Sequence, residues 1–379
     1  MKRKFTLTFG FIFLFTSLLT PLSSAAAKAG AKCTKVNTTS TVSGFKYTCI
    51  KSGKKLIWSK GVAVSPVENL PAATLQGPTS FDDLIQNYQG ISYAAWNKSR
   101  QKILSSSKTD ISLKFVLGPT TQLTFKDPLY SINLISKLYA GYPISSEISF
   151  LAFNYDDRNW AVNQMESIIP NSGSGWITDV ACATKSTCWG GGAFSDGASK
   201  YLIVEAMGVM DTNHTSGTVE AHEFTHIVQQ MVIKKNRPAQ EFLYDPWPPT
   251  WYWEGQAHFA QNASIYFDSY STYLRERRNT SQDLYRNSAF NSDHIRKYFV
   301  FNAPEDWQNN YQRWQQYDLG AMFVEVLTAI KGPDATMQMW KLASDGIKFE
   351  DAFETVYGTP YSKALPIMAK AIALQLGRN

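Results

Sequence analysis

The segment TVEAHEFTHIVQQMV, Thr218 to Val232, decides how this chain is to be understood. Val219, Ile227, Val228, Met231 and Val232 recur with the spacing of a buried helix. On such a helix His222 and His226, four residues apart, project from one face and can bind a single metal ion. Glu223 stands beside the first histidine, placed to take a proton from water at that metal. The chain has five histidines (214, 222, 226, 258 and 294), and two of them fall in this one pattern. The competing reading is a solvated histidine pair on a surface helix. An apolar helix opposes it, because unpartnered imidazoles would be carried out of water.

Zinc in a catalytic site takes three protein ligands and keeps a fourth position open. Downstream stands WYWEGQAHFA, Trp251 to Ala260, in which Glu254 follows His226 by 28 residues. Glu254 falls at the head of a second helical pattern running to about Phe267. Between the two lies DPWPP, Asp245 to Pro249, whose prolines forbid helix. A helix–turn–helix of this kind returns Glu254 toward the histidine pair. The alternative is a glutamate favoured in a first helical turn by the dipole alone; the histidines upstream tip the balance to a ligand. Trp251, Tyr252 and Trp253, with Trp247, either line a cleft or pack into the core.

The H-E-x-x-H pattern at 222–226 followed by Trp253-Glu254-Gly255-x-Ala257 resembles the gluzincins. In these metallopeptidases, which include thermolysin-like enzymes and zinc aminopeptidases, the third zinc ligand is a glutamate on a later helix. The resemblance could extend over residues 110–360, but its specific motifs occupy only these two short segments. It implies zinc as cofactor, with His222, His226 and Glu254 as ligands and Glu223 as general base. It also implies a zincin-like α+β fold: a small mixed sheet whose edge strand aligns the substrate, then a mostly helical C-terminal part. Tyr201–Met207 is the candidate for that edge strand.

The family's tyrosine donor for the transition-state oxyanion has its counterpart in Tyr317, 63 residues past Glu254. A tyrosine packing at a helix start, with Asp318 as cap, is the equal alternative, and His294 is a second candidate donor. Four residues after the glutamate ligand, where thermolysin-like enzymes carry an acid, this chain has His258. Gly208 to Asp211 resembles the aminopeptidase amine-binding signature only faintly, which favours an endopeptidase. His214 and His258 are read as structural or surface residues.

The rest of the chain sets the context. Its 379 residues are 18% charged, 44% apolar and 14% aromatic, which excludes disorder as the main state. A mean hydropathy of -0.25, with one long apolar stretch at the N-terminus, excludes a polytopic membrane protein. That terminus reads as a signal peptide over residues 1–29: Lys2, Arg3 and Lys4, an apolar run from Phe9, then Ala27-Lys28-Ala29. An uncleaved anchor is the alternative. A secreted or extracytoplasmic protein is expected, and four cysteines in it suggest disulfides. Three pairings are possible; proximity favours Cys33–Cys49 and Cys182–Cys188.

Net charge is +6, but residues 1–29 carry four bases and no acid, so no nucleic-acid footprint follows. Residues 30–61 hold seven lysines and no acid. They suggest a small disulfide-stapled β module, either binding an anionic cell-surface polymer or serving as a solvated appendage. Residues 62–80, with Pro66, Pro71 and Pro78, suit a linker. Residues 81–379 form the expected catalytic domain: a helix over Phe81–Ser107, strands at Ile111–Leu117 and Ile148–Phe153, helices near Tyr130–Leu138 and Asp157–Met165, and helices after Thr218.

The sequence therefore predicts a secreted zinc-dependent peptidase, an endopeptidase, acting on a peptide or protein substrate. Two alternatives stand beside it: an exported zinc-containing binding protein with a vestigial site, and a zinc hydrolase of non-peptide substrates.

Overall fold

Cys33 is bonded to Cys49, and Cys182 to Cys188, so each bridge closes a short loop. The computed structural model describes residues 28–42, 45–63, 76–107, 109–208, 212–233, 248–300 and 314–378. Nearly all of the expected signal segment, most of the linker, Val209–Asp211 and Asp245–Trp247 lie outside the described residues. The chain divides into two compact units, residues 1–67 and 68–379.

In the first unit, β1 (Thr39–Val42), β2 (Phe45–Ser52), β3 (Lys55–Trp58) and β4 (Val62–Ala63) form an antiparallel sheet. The β2–β3 hairpin turns at Gly53, whose φ of 61° lies in the left-handed region open to glycine. Cys49 is fully buried, so the disulfide supplies the centre that so few apolar residues cannot. Lys32, Lys35, Lys51, Lys54, Lys55 and Lys60 are all exposed.

The second unit begins with α1 (Ile91–Ser105), then alternates β5 (Ser112–Leu117), α2 (Pro128–Leu138), β6 (Glu147–Phe153), α3 (Arg158–Ile168), β7 (Trp189–Ser195) and β8 (Tyr201–Met207). The sheet order is β5-β6-β8-β7, with β7 antiparallel to β8 and the other pairs parallel. Thereafter the described chain is helical: α4 (Thr212–Ser216), α5 (Thr218–Ile233), α6 (Thr250–Ile265), α7 (Tyr270–Thr280), α8 (Gln282–Arg286), α9 (Ser292–Val300), α10 (Gln315–Lys331), α11 (Pro333–Ser344), α12 (Phe349–Tyr357) and α13 (Tyr361–Gln375). The architecture is mixed α/β. Strands and helices interleave up to β8, after which the described chain is helical.

Alternation along the strands sorts the two faces of the sheet. Ile148, Phe150 and Ala152 of β6 and Tyr201 and Ile203 of β8 face the large core that contains α2 and α5. Leu151, Phe153, Leu202 and Val204 face the opposite way, onto Ala161 and Met165 of α3 and the Cys182–Cys188 bridge. This double burial corrects one expectation. Tyr201–Met207 is an interior strand, buried at every residue and paired on both sides. The edge strand nearest the helices is β7, Trp189–Ser195.

The helix expected from Phe81 begins only at Ile91. Asp83 explains the delay: its carboxylate accepts from the backbone N–H groups of Thr79 and Ser80 and from the Asn87 amide. Those bonds hold a turn in competition with helix.

Helices α6 and α10 meet through two glycines. A methyl group on Gly255 would lie 2.3 Å from the Gly320 carbonyl carbon, and one on Gly320 would lie 2.2 Å from the Trp251 oxygen. Neither backbone can yield without separating the helices. Gly320→Ala is therefore expected to cost about 3 kcal/mol, the upper end of overpacking penalties. A denaturant midpoint within error of wild type would disprove the close crossing.

Candidate metal centre

The helix α5 is buried on nearly every side, and its second and third turns carry His222, Glu223 and His226 into the interior. Glu254 comes from the second turn of α6, packed beside α5. The structure brings His222, His226 and Glu254 into one cluster. The two Nε2 atoms are 3.0 Å apart. Glu254 Oε2 lies 3.2 Å from His222 Nε2 and 3.3 Å from His226 Nε2. Bonds of about 2.0–2.1 Å to one tetrahedral ion require ligand atoms about 3.3 Å apart. The donor triangle already has that size.

The ring tautomers fit as well. The Trp340 indole N–H, which can only donate, is bonded to Gln256 Oε1 at 2.5 Å. Gln229 Nε2 donates to the same oxygen at 2.9 Å and to the Trp253 carbonyl at 3.1 Å. Gln229 therefore turns its own oxygen to His226 Nδ1, 2.8 Å away. That oxygen needs a proton on Nδ1, which leaves the His226 Nε2 lone pair facing the cluster. On the other histidine, Gln261 Oε1 lies 2.8 Å from His222 Nδ1 and imposes the same arrangement.

These two glutamines escaped the sequence reading. Gln229 stands three residues after His226, a spacing that puts both on one helix face and was legible. Gln261 offers no such signal, because its partner is on another helix. Gln261→Leu is expected to weaken metal binding about 10–100-fold, and Gln261→Glu, which keeps an acceptor, to restore it. Competition with a metal chelator measures both.

Electrostatics separate the two glutamates. Burial works to raise the Glu254 carboxyl, but its closeness to the two imidazoles outweighs burial. Glu254 is thus held well below the usual carboxylate range, ionised and ready to ligate. Burial pushes Glu223 up to about 7, opposed by His222 and reinforced by Glu254. Glu223 sits tightly against β7: a methyl on Gly191 would come within 2.8 Å of its Oε1. Only a glycine there leaves the carboxylate its seat.

The other candidates divide. The Tyr317 ring, in the first turn of α10, stacks on His222 with centroids 5.8 Å apart and planes at 27°. His258 lies one turn past Glu254, its ring 6.2 Å from that of His222. Its Nε2 is 3.6 Å from Asp318 Oδ1. Burial drives the imidazole down to about 3 and the Asp318 carboxyl up to about 8, each toward its neutral form. His214 is buried, and its Nε2 accepts the Gly190 N–H at 3.0 Å, fixing the start of β7. His294 packs on Phe290 and is not among the clustered ligands. Trp251 and Tyr252 fill the core, whereas Trp253 packs against His226.

Among the described residues no helix is long and apolar enough to cross a membrane. Comparison with known protein families, characterised proteins and solved structures finds no match to this chain.

Proposed function

We propose that this protein is a secreted zinc-dependent peptidase of gluzincin type, cutting within peptide chains. The observation that carries this reading is the donor triangle of His222, His226 and Glu254, with the carboxylate of Glu223 beside it. Two imidazoles and one carboxylate are a donor set that catalytic zinc takes. Two disulfides suit an oxidising compartment outside the cytoplasm.

When bound, the metal would supply a Lewis acid that makes water acidic and polarises a carbonyl. The chain's own residues do the rest. Glu223, with a carboxyl poised near neutrality by burial, takes the proton of the attacking water and returns it to the leaving nitrogen. Tyr317, stacked on His222, donates its hydroxyl to the oxyanion as it forms. The edge strand β7 receives the substrate main chain. The Gly190 N–H is taken by His214 and the Ala193 carbonyl by Gln230. Between them Gly191 and Gly192 present no side chain, which suits a polypeptide rather than a compact small molecule.

The test is digestion of an unbiased peptide mixture by the zinc-loaded protein, read by mass spectrometry. Internal cuts are expected. Release of single N-terminal residues would make it an aminopeptidase, and intact peptides beside bound zinc would overturn the peptidase reading.

A further inference from the structure

Trp189 and Trp314 are 40% and 53% exposed, yet they are not scattered surface residues. They stack on each other, with ring centroids 6.0 Å apart and planes at 29°. Trp314 packs on Tyr317 at 5.4 Å, and Tyr317 stacks on His222. A row of rings thus runs from a candidate metal ligand out to solvent. Trp189 is backed by the edge of His214, itself buried, so the row has a firm footing.

Position along β7 says what this row can touch. Gly191 adjoins Glu223 on the face of the sheet that looks toward α5, and Ala193 packs on the core there; Trp189, beyond the bend at Gly190 with its φ of 106°, reaches the same side through Trp314 and Tyr317. Trp189 therefore lies two residues, about 7 Å, along the strand from the point beside Glu223. A peptide laid against β7 with its reacting carbonyl at Glu223 carries another side chain against the indoles. Large apolar rings left in water gain by being covered, and stacked indoles offer a wide, rigid, uncharged face.

We propose that Trp189 and Trp314 form an aromatic wall that binds an aromatic side chain of the peptide substrate, two residues from the bond that is cut. The inference rests on the peptidase reading, and its test separates the two.

Blocked hexapeptides carrying Phe, Ala or Lys at each position in turn are titrated by calorimetry into zinc-loaded Glu223→Gln protein. Phe at one position is expected to bind about tenfold more tightly than Ala. Trp189→Ala or Trp314→Ala, introduced beside Glu223→Gln, should bring that ratio close to one at unchanged zinc content, while Trp314→Phe keeps most of it. Equal binding of Phe and Ala, a preference for Lys, or a ratio indifferent to both tryptophans would overturn the wall. The same peptides are then given to wild-type protein. Cuts two residues from Phe support both readings, and cuts without regard to Phe leave a peptidase with no wall. A tryptophan-dependent preference in binding without any cleavage leaves the wall standing and removes the peptidase.

Discussion

Glu223→Gln protein is expected to bind as much zinc as wild type and to hydrolyse peptides about 10²–10⁴-fold more slowly. Glutamine has the shape of glutamate, so it fits the same narrow seat above Gly191, where even a methyl group would intrude. None of the three clustered donors is altered. The substitution removes only the group that accepts and returns a proton. That group is well matched to its task, because a base is most effective when its pKa lies near the working pH, and burial brings Glu223 to about 7. Zinc content by mass spectrometry and turnover of a quenched fluorescent peptide check the two halves separately. A variant with full zinc and wild-type turnover would move the proton transfer to another residue. Loss of zinc in this variant would show instead that Glu223 holds the site together.

The readability of this chain varied with the physical signal each part leaves. The pattern of α5 was plain because imidazoles four residues apart on an apolar helix have few other uses. Glu254 was reachable because a glutamate 28 residues on, after a proline-rich break, opens a second helix. Among three possible pairings, proximity favoured the two short-loop disulfides that form. The sheet was harder. In β7 the run Gly190-Gly191-Gly192 has no side chains, so the alternation that marks a strand is missing there. In β8 the apolar run Tyr201–Val204 signals a strand but does not say whether one or two neighbours pair with it; burial on both faces fits the interior position found. Of the two glutamines behind the histidines, Gln229 stands within reach of His226 by spacing, whereas Gln261 leaves no such mark. An amide oxygen can do the orienting usually expected of a carboxylate, and no charge pattern reveals it.

The second large effect belongs to His226. His226→Ala is expected to reduce zinc to background and abolish peptide hydrolysis, because His222 and Glu254 alone leave a site two-coordinate from the protein. The fold should survive, though weakened. Gln229 Oε1 loses its partner inside the protein, and an unmet buried acceptor costs about 1–3 kcal/mol. Zinc itself distinguishes this from general damage. A ligand that binds only the native state raises the unfolding midpoint, so added zinc should stabilise wild type and leave His226→Ala unmoved. His294→Ala makes the control, since that ring packs on Phe290 apart from the cluster, and its zinc response should equal that of wild type. Zinc retained by His226→Ala at wild-type affinity would place the metal on other ligands. The base assigned to Glu223 and the seat at Gly191 would then lose their reason together.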